Sequence, residues 1–162
     1  KEQLDRITAA LQEETLKVPN VEKLIAVKGV GIITVAGFLA EVGDISRFTS
    51  PKQIQNLAGL EPKENSSGKH KGRSSISKRG RRKLRRLLFQ VVLPLIRSNE
   101  DFREVYTYYT TRKENPLKGM QAMIAVSCKV IRIFYALLTH GIDYSSALFR
   151  ADIIRPEPAK AA

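Results

Sequence analysis

Residues 63–86 set the first condition on any fold of this chain. These 24 residues hold eleven lysines and arginines against Glu64 alone, a net of +10. So many cations without counter-charges cannot enter an apolar interior, because burying an unpaired charge costs far more than folding returns. Most of the core must therefore come from the segments on either side. The other 138 residues carry 17 basic and 15 acidic groups and are close to neutral, so most of the chain's +12 sits in one block. A hydrophobic share of 43% is enough to build a core and excludes wholesale disorder. At 162 residues, one domain with at most a small appendage is expected.

Solvated charge runs normally interleave acids with bases. Here the acids are missing. A polyanion partner is the better reading, and nucleic acid is the commonest one. A membrane fits less well, since the block has no adjoining spanning helix and no aromatic anchors. The longest apolar stretch, 87–96, is too short to cross a bilayer and contains Gln90. One cysteine and two distant histidines exclude an internal disulfide and a Cys/His zinc site. No signal-peptide pattern opens the chain, and its start at Lys1 reads as a piece cut from a longer, soluble, intracellular protein.

Apolar spacing predicts an all-α fold. Residues 1–19 read as a helical lead-in, with Leu4, Ile7, Leu11 and Leu16 near helical spacing, and could end a coiled coil. Residues 20–155 read as the helical domain proper. A short helix from Val21 to Val27 stops at Gly29, and a second over 32–42 stops at Gly43. Thr49 or Ser50 caps a third helix, with Pro51 at its first position and Gly59 at its end. Residues 61–80 are polar and glycine-bearing, a mobile loop without strand or hairpin signal. Leu84, Leu87, Leu88, Val91, Val92 and Leu95 then mark a strong helix, bent at Pro94 and capped by Ser75 or Ser77. Helices over 102–111 and 117–138 follow, and 156–162 form a frayed tail.

Two local patterns carry chemistry. The first is KLIAVKGVG from Lys23 to Gly31, followed by Thr34. A helix ends in Gly-hydrophobic-Gly and the next begins at once, which resembles the helix-hairpin-helix element that grips nucleic-acid backbones. Gly29 and Gly31 permit positive φ and close approach, Val30 pins the turn, and the free N–H groups of the next helix face outward to a phosphate. An ordinary αα-turn would use the same glycines as caps only, but the basic block in the same chain favours phosphate contact. On this reading Gly29, Val30, Gly31 and Thr34 make the contacts.

The second pattern sets Ser66, Ser67, Ser74, Ser75 and Ser77 among Lys69, Lys71, Arg73, Lys78, Arg79, Arg81, Arg82, Arg85 and Arg86. Lys78, Arg79, Arg81 and Arg82 in a first helical turn oppose the helix dipole, and a bound phosphate would remove that conflict. A serine attacking a phosphodiester needs in-line placement, cations on the non-bridging oxygens and a route for its proton. Ser67, beside Gly68 and Lys69, has the cations, with only Glu64 and His70 nearby as bases. On chemistry alone, a polar flexible loop explains these serines more simply.

The order of the pieces carries more than either pattern. KGVGIITVAGFLAEVGDISRFTSPKQIQNLAGLEP leads to a polar SSGK loop and then ISKRGRRKLRRLL; later come NPLKGMQAMIAVSCKVIRIFYALL and an end containing Tyr144. Over roughly residues 20–150 this resembles the C-terminal transposase domain of the IS-one-ten (DEDD) insertion-sequence recombinases, some of which are guided by a bridge RNA. It departs from them at Lys28, where the family usually has Pro, so the hairpin is less rigid. The resemblance implies an upstream RuvC-like domain whose acids bind Mg²⁺, absent from this chain. It also implies a serine that attacks DNA to give a transient phosphoserine. That serine maps onto Ser67, with Ser66 and Ser77 as alternatives. DNA and a guide RNA become the expected partners, in a homo-oligomer with composite active sites in the bacterial cytoplasm, nucleoid-associated when active. This piece alone is expected to be inactive.

The remaining candidates are weaker. Cys128 reads as a small buried hydrophobe, His70 as solvated, and His140 as a helix-end residue suited to the dipole. Tyr106, Tyr108 and Tyr109 read as packing or stacking residues, and Glu41, Asp44 and Glu61 do not make a metal cluster. A non-enzymatic DNA- or RNA-binding module is the rival to a recombinase domain.

Overall fold

Glycine and proline punctuation divides the apolar pattern into eight α-helices among the described residues. The computed structural model describes residues 2–63, 66–67, 70–71, 75–151 and 153, with backbone alone at 66, 67, 70 and 71. The helices are α1 (Glu2–Leu16), α2 (Val21–Ile25), α3 (Ile32–Val42), α4 (Pro51–Ala58), α5 (Arg82–Ser98), α6 (Glu100–Thr111), α7 (Gly119–His140) and α8 (Ser146–Arg150). A mostly α-helical fold is therefore established.

The core is organised around α7, which packs against α2, α4, α5 and α6. Its Ala122, Val126, Val130, Ile131, Phe134, Leu137 and Leu138 are buried. By length and composition α7 could cross a membrane, but half of that apolar window is buried inside the fold. It works here as a core helix. Phe38 of α3 meets Phe134 edge-on at 5.1 Å, tying the hairpin to this centre. Full burial of such aromatic side chains contributes roughly 1.5–3 kcal/mol each.

Helix α3 runs antiparallel to α5. The turn before α3 meets Leu95 and Ser98 near the end of α5, and a Cβ on Gly37 would touch Leu87 midway. The Arg81 guanidinium, just before α5, donates to the Glu41 carbonyl near the end of α3 at 2.7 Å.

Along α1, Leu4 and Ile7 are 67% and 61% exposed, and Thr15 is the buried residue of the helix. Three expectations change. Helix α2 ends at Ile25, two residues early, because Val27 and Val30 are buried and draw the chain into a turn closed by Val30 N–H to Val27 C=O at 2.9 Å. The segment at 61–80 contains paired strands. β1 (Pro62–Lys63) pairs antiparallel with β4 (Ser75–Ile76), and β2 (Ser66–Ser67) with β3 (His70–Lys71). The paired residues show no apolar alternation in the sequence, so they carried no strand signal there. Finally, α5 starts at Arg82, so neither Ser75 nor Ser77 caps it. Ser75 lies in β4, and the Ser77 N–H is committed to the Glu61 carbonyl at 2.8 Å.

Candidate nucleic-acid interface

The arm formed by residues 61–79 leaves and rejoins the body at one place, the C-terminal end of α4. Helix α4 closes on Gly59 at φ 69°, with Leu60 N–H reaching back to the Gln55 carbonyl at 3.0 Å. The returning chain then bonds to this same end: Lys78 N–H to the Gly59 carbonyl at 3.1 Å and Arg81 N–H to the Leu57 carbonyl at 2.7 Å. Between them Gly80 takes φ 140°, and a Cβ there would strike the Leu57 carbonyl oxygen and lie 2.9 Å from Gly59 N. The Arg85 guanidinium completes the closure, donating to the carbonyls of Ala58 at 2.9 Å and Lys78 at 3.4 Å. A cation at a helix C-terminus also suits the dipole. These contacts make a clasp at the root of the arm.

The clasp sorts the arginines expected to bind phosphate. Arg81 and Arg85 are engaged within the fold, Arg81 also approaching the Glu41 carboxylate at 3.9 Å. Lys78, Arg79, Arg82 and Arg86 are exposed. The side chains of Arg82 and Arg86 make no hydrogen bond or ion pair with another described residue. The first turn of α5 holds Arg82, Lys83 and Arg85 and no acid, and Arg81 at its N-cap makes no side-chain capping bond. The expected conflict with the dipole is present, carried by these residues, while Lys78 and Arg79 precede the helix.

On the arm itself, the register sets Ser66 opposite Lys71 and Ser67 opposite His70. Lys69 and Arg73 lie outside the described residues.

The glycine turn sits elsewhere. Gly29, at φ 96°, is pressed against α5, where a Cβ would come within 2.7 Å of Ser98 Oγ. Asn99 Nδ2 holds the turn by donating to the Lys28 carbonyl at 2.9 Å, and Val30 is buried as expected. Gly31 departs from expectation: its backbone is extended at φ −93°, and nothing lies within 4 Å of its Cβ position. Its missing side chain leaves the start of α3 open, with Thr34 half-buried in the first turn. Leu95 marks this end of the site and Arg82 the other, separated along α5 by about 20 Å. The structure thus gathers the arm root and the free arginines at one end of the domain and sets the hairpin at the other.

Two residues of this surface escaped the sequence reading. Phe89 and Leu93 of α5 share a groove of about 360 Å³ with Arg82, Arg85, Arg86 and Gln90. The available signal was helical phase: at 100° per residue both lie off the stripe of Leu84, Leu88, Val91 and Leu95, although Phe89 still packs partly against the core. Cys128 is half-buried, and desolvation raises its thiol pKa, in keeping with a packing role. Tyr108 and Tyr109 pack against each other, with Arg112 over the Tyr109 ring. His140 is the last residue of α7. Among the described residues, no three His, Cys, Asp or Glu side chains are grouped to hold a metal ion.

Comparison with known proteins identifies the family. The pattern that defines the transposase IS116/IS110/IS902 family matches residues 21–107, from the first hairpin helix through the arm and α5. The transposase for insertion sequence element IS1328 of Yersinia enterocolitica is 32% identical over 144 residues, 89% of this chain and 43% of that protein. The transposase for insertion sequence element IS1111A of Coxiella burnetii is 31% identical over 127 residues, 76% of this chain and 34% of its own length. A pilin gene-inverting protein of Moraxella bovis is 32% identical over 128 residues, 77% of this chain and 38% of that protein. The chain spans about a third of the length of several of these relatives. Since the matched pattern covers more than half of the chain, and takes in both the glycine turn and the arm, this protein belongs to the transposase IS116/IS110/IS902 family.

Proposed function

We propose that this chain is the DNA-binding, nucleophile-bearing part of a transposase, with Ser67 as the nucleophile. One observation carries the reading: in a chain of this family, Ser67 stands on a paired arm closed at its root by the Gly59–Gly80–Arg85 clasp. Such a closure limits the directions in which the arm can present its residues, which in-line attack requires.

In the reaction, Ser67 Oγ bonds to phosphorus as the bond from phosphorus to one sugar oxygen breaks, leaving a phosphoserine and a free hydroxyl. The serine proton passes to a base and the departing oxygen gains a proton. His70, its partner in the strand register, is the candidate base on the arm. Mg²⁺, held by a RuvC-like domain outside this chain, would stabilise the charge developing on the phosphate. The exposed arm-root cations and the open start of α3 grip the backbone at two points, without reading sequence. A guide RNA and a homo-oligomer with composite sites belong to the same reading, as does inactivity of this piece alone.

In the full-length protein, Ser67→Ala is expected to abolish the covalent protein–DNA adduct seen on denaturing gels while binding stays within about twofold. An adduct that persists, and moves only with Ser66→Ala or Ser77→Ala, would reassign the nucleophile. Binding without any adduct from the intact protein would identify a non-enzymatic module.

A further inference from the structure

The outward face of α5 changes character along its length. Arg82, Arg86, Phe89, Gln90 and Leu93 fall within an arc of about 100° and a rise of about 16 Å. They line one groove, together with Arg85. The first two are exposed cations without a described partner, and Leu93 is 46% exposed. Duplex DNA explains only the cationic half. Its outer surface offers phosphates, while its bases are stacked inside, so Phe89 and Leu93 would be desolvated against charge with no gain. An unpaired strand offers both chemistries at once: phosphates for the arginines and open base faces for an aromatic and an aliphatic side chain.

We infer that this stripe is a binding site for a single-stranded nucleic-acid segment, its phosphates on Arg82 and Arg86 and a base against Phe89 and Leu93. The inference rests on reading the arm root as a nucleic-acid interface and narrows that reading to strands whose bases are exposed. Gln90, exposed beside Phe89, can hydrogen-bond a base edge without strong preference, since an amide both donates and accepts. Deoxyribose and ribose strands share the recognised chemistry.

The chain has no tryptophan, so Phe89→Trp places its one indole, excited selectively over the five tyrosines, inside the groove. Because Phe89 is half-buried, Leu93→Trp on the exposed side serves as a second reporter. Oligo-dT, oligo-rU and a duplex of equal length would be titrated into each variant, with binding followed in parallel by anisotropy of labelled strands. Saturable quenching by the single strands, and little by the bound duplex, is the expected result; oligo-dT against oligo-rU then tells which strand type the site prefers. Phe89→Leu should weaken single-strand binding by about 5- to 100-fold and duplex binding much less. Single strands that bind without quenching, or a duplex that quenches equally, would overturn the inference and leave the interface standing. If neither form binds, both readings fail.

Discussion

Tyr144 shows how one side chain joins two elements. Its hydroxyl donates to Asp101 Oδ2 at 2.9 Å, and Ser146 Oγ donates to the same oxygen. Arg150 approaches the other carboxylate oxygen at 3.5 Å and Glu104 at 2.8 Å, which fastens α8 to α6. Burial, then the bond to Asp101 and its negative charge, push the phenol well above its usual value near 10. The folded state therefore holds this proton more tightly than the unfolded chain. Its contribution to stability is complete below about pH 10 and is lost as pH rises toward the folded value. Tyr144→Phe should lower stability near pH 8 by about 1 kcal/mol, through the missing hydrogen bond, and flatten the decline above pH 10. Urea midpoints measured across that range would show it; parallel curves for the two proteins would mean that Tyr144 is not the titrating group.

At the scale of elements, the clasp makes a sharp prediction about backbone. Gly80→Ala must place a Cβ against α4 and adopt an unfavourable φ, so it should cost at least about 2–3 kcal/mol. Gly31→Ala, in extended backbone with open space, should cost at most about 1 kcal/mol as a weaker N-cap. Chemical denaturation of both would check the contrast, and equal losses would remove the clasp from the account. The same elements explain what could be read in advance. Gly29, Gly43, Gly59, Gly141 and Pro51 mark turns or helix ends in the chain itself, so most helices were legible. The start of α5 was not, because Lys78 at φ 54° and Gly80 at φ 140° break the backbone after the serines that looked like caps. Strand pairing within 61–80 was hidden as well, because the paired residues show no apolar pattern of their own. Arg85 was hidden most completely. It is one cation among eleven, and only its bonds to Ala58 and Lys78 distinguish it.

For the whole molecule, those bonds divide the basic block by function. A charge that is already bonded within the fold is poorly placed to neutralise a phosphate as well. Replacing Arg82 and Arg86 together by Gln should lower the log–log salt slope of binding by roughly 0.7–0.9 for each phosphate left without its cation, with little change in melting temperature. Replacing Arg81 and Arg85 should do the reverse, lowering the melting temperature more than the slope. Salt titrations and thermal melts of the two double variants separate the classes, and identical behaviour would show that the clasp does not sort them. The antiparallel placement of α3 on α5 adds distance to this picture. The phosphate sites proposed at the hairpin and at the arm root lie about 20 Å apart, so their slopes should add.

The way the arm closes also bears on how such a protein can change. Both of its ends return to a few carbonyls at the close of α4, so the clasp itself draws on no residue between Lys63 and Ser75. Lengthening that stretch adds only loop-closure entropy, about 0.6 kcal/mol for each doubling. The helical body then acts as a handle, and the tip as a cassette that could be exchanged between relatives while each new sequence is held out from the same fixed mount.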